Sequence, residues 1–197
     1  MLGSQICLEN MSAPETKQKI YYLPGYGGAL NSGLGEELEN RGFSISGRAT
    51  VGEFAALDFA DQIEIVRQDL NNEFSFTDSK VIANSFGAYL FLHAQAQMPP
   101  YLGKVLLLSP IVGDFVRDDG LRIFSPPRAG KLQNLASSCT YPAPANCEIH
   151  VGSEDWQSDP VNVAELAKLL NLSVQIVDGD GHMLEKTYVN TILDNWL

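Results

Sequence analysis

Short apolar runs alternate along this chain with longer stretches whose apolar residues recur at helical spacing. The run KIYYL at 19–23 reads as a strand, and Gly25-Tyr26-Gly27-Gly28 follows as a loop. Residues 34–41 read as a short helix and 43–46 as a second strand. Asp58 is placed to cap a helix whose Phe59, Ile63, Val66 and Leu70 share one face, the i, i+4, i+7 spacing of an amphipathic helix. Residues 80–83 form another apolar run. The nearly all-apolar stretch 86–98 reads as a helix stopped by Pro99-Pro100. A strand is expected at 105–108. Further on, one apolar stretch from 147 ends in Gly152-Ser153-Glu154-Asp155, and another from 174 ends in Gly181-His182. A helix over 160–170 has Asp159 at its N-cap and Pro160 at its first position. The closing helix, 184–196, carries Tyr188, Ile192 and Trp196 on one face. Strand alternating with helix predicts a mostly parallel sheet covered on both faces, an α/β fold.

One segment breaks this rhythm. No strand is evident between Ser109 and Cys147, and so long an irregular stretch inside a compact domain is uncommon unless it has a function. It interleaves Phe115, Leu121, Ile123, Phe124, Pro126, Pro127 and Tyr141 with Arg117, Arg122, Arg128 and Lys131. The plain alternative is a surface insertion of one or two helices with no substrate role.

The run Val81-Ile82-Ala83-Asn84-Ser85-Phe86-Gly87-Ala88-Tyr89-Leu90 carries the candidate chemistry. A strand passes through a small residue, a serine and a glycine into a helix. This is the layout of a nucleophile elbow, where a tight turn holds the serine hydroxyl clear of the sheet. Ala83 and Gly87 take the two flanking positions, which must be small because strand and helix pass close together there. Alanine in place of the first glycine loosens the match, and a buried helix starting at an N-cap serine is the bland reading. Chain order favours the elbow. Folds built on it place the serine first, then Asp or Glu, then His. Here Ser85 is followed by Asp155 and then His182, each just past the end of an expected strand, the edge where sites form in open α/β sheets.

On these motifs the chain resembles a small member of the α/β-hydrolase superfamily, from about Lys19 to its C-terminus. The resemblance implies a reduced form of that fold. It has about six strands, lacks the two that begin the full fold, and carries a cap or lid at residues 111–146. In that arrangement the segment is expected to cover the mouth of the site and line it with Phe115, Leu121, Ile123 and Phe124, of which Phe115 and Phe124 are expected to contact substrate. Its basic residues offer a further option, holding an anionic substrate group at the rim. The bland reading has them facing solvent and pairing with Asp114, Asp118 and Asp119.

A serine hydroxyl is a poor nucleophile until a base takes its proton, and that role points to His182. Of the other two histidines, His93 lies within the helix after the elbow, on the order of 12 Å along it. His150 sits within an expected strand and reads as a core residue. The resemblance assigns the acid to Asp155, in a Gly-x-x-Asp arrangement after Gly152. Asp159 suits capping better, Glu154 is expected to point elsewhere, and Asp114 is a rarer family alternative. Asp178 and Asp180 serve the turn before His182. The developing oxyanion needs two donors, expected from the backbone N–H of Phe86 and of Tyr26. Pro24 stands where the family's His-Gly-x pattern has histidine, and Tyr26 is also expected to touch substrate. The glycine-rich loop lacks the lysine and Ser/Thr of a phosphate-binding loop.

Composition narrows the classes. With 197 residues, 45% hydrophobic and 19% charged, the chain suits one globular domain. A net charge of −11 without a basic cluster argues against nucleic acid. No apolar run approaches the roughly 20 residues of a membrane helix. Residues 1–17 are polar and read as a loosely ordered leader without a signal sequence. Cys7, Cys139 and Cys147 show no metal spacing, so a reduced cytoplasmic setting is expected, and a Cys139–Cys147 bridge would require export. The expectation is a cofactor-free serine hydrolase, a carboxylesterase acting on a small ester or thioester. The alternative is an inert protein of the same fold that binds a ligand or partner.

Overall fold

The computed structural model describes residues 17–116 and 120–197. The expected leader apart from Lys17, with Cys7, and the residues Arg117, Asp118 and Asp119 lie outside the described residues.

The strands are β1 (Lys19–Leu23), β2 (Ser44–Gly47), β3 (Lys80–Asn84), β4 (Lys104–Leu108), β5 (Phe115–Val116), β6 (Arg122–Phe124), β7 (Asn146–Gly152) and β8 (Ser173–Val177). The helices are α1 (Leu34–Asn40), α2 (Gly52–Ala55), α3 (Phe59–Glu73), α4 (Phe86–Gln95), α5 (Lys131–Ser137), α6 (Pro160–Leu170) and α7 (Lys186–Trp196). Six strands form one parallel sheet in the order β2-β1-β3-β4-β7-β8. The pairs Leu23↔Ala83, Asn84↔Leu108, Leu108↔His150 and Gly152↔Val177 bring the strand ends to a common carboxyl edge.

Side chains alternate across a strand, so each run feeds both faces of the sheet. Tyr21, Leu23, Val81, Ala83, Val105, Leu107, Ile149 and Val151 pack on one side with residues of α3, α4 and α6. Ile20, Tyr22, Ile82, Leu106 and Leu108 pack on the other with Leu38 of α1 and with Ile192, Leu193 and Trp196 of α7. Central strands buried on both faces need continuous apolar sequence, which is why KIYYL, KVIAN and KVLLL stood out as strands.

The expected helices lie where periodicity put them, with shorter ends. The helix after the elbow stops at Gln95, and the closing helix begins at Lys186. Asp159 caps α6 through bonds from Val161 N (2.8 Å) and Asn162 N (3.3 Å). Asp58 takes the N-cap position of α3 without a side-chain capping bond. The segment expected to lack strands holds an antiparallel hairpin, β5–β6, and the helix α5. The hairpin strands are only two and three residues long and largely exposed, so they leave no alternation to read. Cys139 is exposed, Cys147 is buried, and both are free.

His93 is wholly buried on α4, and neither ring nitrogen finds a partner among the described residues. The Tyr89 and Phe59 rings meet it edge-on at 4.4 and 5.2 Å. Burial, aided by the nearby Lys131 and Arg128 charges, pushes its pKa down to about 3. The folded protein therefore holds His93 neutral where the unfolded chain binds a proton. Stability is full above an unfolded pKa of about 6.5 and falls as pH drops from there toward 3, by up to about 1.4 kcal/mol per pH unit. Burial of His150 acts in the same sense. Urea midpoints between pH 7 and 4 should fall steeply in wild type and less steeply in His93→Leu. Equal slopes in the two proteins would contradict this account.

Candidate active site

Ser85 sits between the last residue of β3 and the first of α4, with φ 51° and ψ −117°. This is left-handed backbone that a non-glycine residue occupies only under constraint. The constraint is visible. Ser85 N donates to Leu108 O at 2.9 Å, locking the turn to the neighbouring strand, and Tyr89 N donates to Ser85 O at 3.1 Å, starting the helix. A Cβ on Gly87 would lie 2.2 Å from Leu23 O and 2.5 Å from Pro24 O, so α4 crosses β1 too closely for any side chain. Ala83 is fully buried at the other flank. The serine is thus held at the apex of a strained strand-to-helix turn, at the carboxyl edge of the sheet.

His182 arrives from the loop after β8. Its Nε2 is 2.8 Å from Ser85 Oγ, and its Nδ1 is 2.9 and 3.0 Å from the two oxygens of Asp155. Gly152 lets the β8 loop reach this place, because a Cβ there would lie 2.1 Å from Asp180 O and 2.4 Å from Gly181 O. The Asp155 side chain is fully shielded and that of His182 is 16% exposed. Asp155 Oδ1 also accepts from Gln157 N (2.9 Å) and Ser158 N (2.8 Å), which fixes the carboxylate plane. Ser158, 1% exposed, donates its hydroxyl to Ser109 O at 2.7 Å, tying the Asp155 turn to the end of β4. The sequence marks Ser158 only weakly. The trace it leaves there is a hydroxyl three residues after an aspartate, the spacing at which a carboxylate accepts following backbone N–H groups.

The other acidic and basic candidates are engaged elsewhere. Asp159 caps α6, Asp114 meets Arg122 at 3.1 Å, Asp180 accepts from Glu185 N at 2.9 Å, and Glu154 is exposed. His150 lies between Tyr188 Oη (2.8 Å) and Glu148 Oε1 (2.9 Å) as a core residue.

Phe86 opens α4, so its N–H has no helical acceptor. Tyr26 occupies the second position of the turn Gly25–Gly28, closed by Gly28 N donating to Gly25 O at 3.0 Å. Gly27 at the third position carries φ +74°, the sign that a type II turn demands. Gly25 lies against the nucleophile, since a Cβ there would sit 3.3 Å from Ser85 Cβ. The Tyr26 and Phe86 rings meet edge-on at 6.0 Å.

A cleft of about 880 Å³ opens beside Ser85 and His182. One wall is the Pro24–Leu34 loop and α1, including Tyr26. The other runs from Met183 along α7 to Asn190. It therefore opens on the α1/α7 side of the sheet. Phe115 and Phe124 do not line it. They pack on each other at 5.2 Å, and Phe115 meets Trp156 at 6.1 Å. The segment carrying them is tethered to the α3/α4 layer. Tyr89 Oη donates to Pro127 O (2.8 Å), Tyr141 Oη donates to Leu92 O (2.9 Å), and Arg128 lies over the Phe59 ring at 5.9 Å. The structure brings Ser85, His182, Asp155, Tyr26 and Phe86 together, and it leaves Phe115 and Phe124 outside the cleft.

No protein-family model matches the chain, and no curated protein is similar to it in sequence. Solved structures are similar in shape. The chain superimposes on a carboxylesterase structure from the thaumarchaeon Nitrososphaera gargenis with a TM-score of 0.60 at 13% identity, over 91% of this chain and 89% of that one. It superimposes on the monoacylglycerol lipase of Paleococcus ferrophilus with a TM-score of 0.63 at 13% identity, over 90% and 93%. An α/β-hydrolase enzyme from a lagoon-sediment metagenome gives 0.59 at 14% identity, over 92% and 90%. The chain has the α/β-hydrolase fold. Among the described residues no helix is long and apolar enough to cross a membrane.

Proposed function

We propose that the protein is a serine hydrolase, a carboxylesterase that cleaves small esters or thioesters through an acyl-enzyme intermediate. The observation that carries this reading is the unbroken chain Ser85 Oγ, His182 Nε2, His182 Nδ1, Asp155, with contacts of 2.8 and 2.9 Å. Ser85 Oγ–H donates to His182 Nε2 while His182 Nδ1–H donates to Asp155, which fixes the tautomer that leaves Nε2 free to accept. As Ser85 Oγ bonds to the acyl carbon, its proton passes to His182, and the buried Asp155 carboxylate stabilises the imidazolium. The tetrahedral oxyanion accepts from Phe86 N–H and Tyr26 N–H. His182 returns the proton to the departing alkoxide or thiolate, leaving acyl-Ser85. Water then attacks the same carbon with His182 as base and releases the acid. No cofactor enters any step. The fold alone does not select the bond cleaved. The cleft supports small substrates, with Met183, Leu184 and Val189 offering apolar contact and Asn84, Gln157 and Asn190 offering polar contact.

A panel of p-nitrophenyl esters from acetate to dodecanoate, with a matched thioester and anilide, tests the reading. Turnover is expected for the esters and the thioester, with kcat/KM highest at short to medium chain lengths. Failure to turn over every acyl compound in the panel would remove the proposal.

A further inference from the structure

Thr50 lies in the loop after β2, is 3% exposed, and has no part in the chemistry just described. Its hydroxyl donates to Gly25 O and accepts from Gly28 N at 2.9 Å, and its own N–H donates to Gly28 O at 2.9 Å. A threonine hydroxyl has one proton to give and lone pairs to receive, so a single side chain holds both ends of the Gly25–Gly28 turn. Among the described residues no other side chain bonds to this turn. The Tyr26 side chain is 85% exposed and does little to anchor it.

We infer that Thr50 is a positioning residue that presets the Tyr26 N–H as an oxyanion donor. The inference rests on the reading of Ser85 as nucleophile and adds a residue to it. Gly25 lies so near Ser85 that a Cβ on it would meet Ser85 Cβ at 3.3 Å, so any drift of the turn moves the Tyr26 N–H relative to the reacting carbonyl. Donors stabilise an oxyanion only when they are held in place before the charge develops. A turn rich in glycine has little stiffness of its own. The clamp from a neighbouring strand loop supplies that stiffness from outside the turn. The contribution is felt mainly in the transition state, where the carbonyl oxygen carries charge, and little in ground-state binding.

The test compares wild type with Thr50→Val, which keeps the shape and removes the hydroxyl, and Thr50→Ser, which restores it. On the best ester of the panel, Thr50→Val should lose on the order of 10- to 100-fold in kcat with KM within about twofold. Inhibition by an aryl trifluoromethyl ketone, whose adduct places an oxyanion in the hole, should weaken in proportion. Thr50→Ser should recover most of both. Should Thr50→Val fail to fold, Thr50→Cys keeps the size with a weaker hydrogen-bonding group and should give an intermediate kcat. A wild-type kcat in the folded variant lacking the hydroxyl, a change in KM alone, or no recovery with serine would overturn the inference. Wild-type turnover is the reference. Its absence removes the hydrolase reading and this inference with it, whereas full turnover in Thr50→Val removes the inference alone.

Discussion

Ser85→Ala should abolish ester turnover, lowering kcat by roughly five to six orders of magnitude. Among the described residues, Ser85 Oγ is the hydroxyl that meets His182 Nε2. The loss should come without unfolding, because the turn is held by the Leu108 O and Tyr89 N backbone bonds rather than by the hydroxyl. Ser85→Gly separates function from strain. It should be equally inactive yet melt higher than wild type, since glycine occupies φ 51° and ψ −117° without the penalty that serine carries, on the order of 1 kcal/mol or more. Kinetics and a melting curve on both variants check the pair of outcomes. Substantial turnover in either variant would remove Ser85 from the chemistry.

Asp155→Asn should cost about 10⁴-fold in kcat and little in stability. Asp155 Oδ1 accepts from Gln157 N and Ser158 N, and an asparagine carbonyl can take over both bonds. The amide nitrogen then faces His182 Nδ1 and donates to it. That forces the proton onto Nε2, and the imidazole can no longer accept from Ser85. Asp155→Ala should be inactive and also destabilised, because it leaves the Gln157 and Ser158 N–H groups without their acceptor in a buried turn. Asp159→Asn should keep near-full activity, since asparagine caps a helix about as well as aspartate. An active Asp155→Asn, or a comparable loss in Asp159→Asn, would reassign the acid.

The parts of the fold legible in the sequence are those whose burial is one-dimensional. The central strands pass through the middle of the sheet, so their side chains are apolar on both faces and their runs are unbroken. Helices α3, α6 and α7 bury one stripe each, and periodicity finds the stripe. The hairpin β5–β6 buries almost nothing, and α5 buries only Leu132 and Ala136, so neither leaves a pattern.

The same distinction runs through the site. Ser85 was legible because an elbow needs a glycine at position 87, where a Cβ would lie 2.2 Å from Leu23 O, and that demand is local in sequence. His182 and Asp155 were legible because they follow strand ends in a fixed order. Thr50 and Ser158 were not, because each acts on a carbonyl far along the chain and a hydroxyl carries no periodic signal. Phe115 and Phe124 show the reverse failure. Their apolar character was plain, but which side of the carboxyl edge they occupy depends on how Tyr89 and Tyr141 tether the segment to α4, which only the folded chain reveals.

Active-site labelling tests Ser85 as the nucleophile most directly. Wild-type protein is treated with a fluorophosphonate, digested, and analysed by mass spectrometry for the modified residue. One adduct is expected, on Ser85, absent from Ser85→Ala and slowed by orders of magnitude in Asp155→Asn. A folded wild-type protein that takes no label, or takes it on another residue, would contradict Ser85 as the nucleophile.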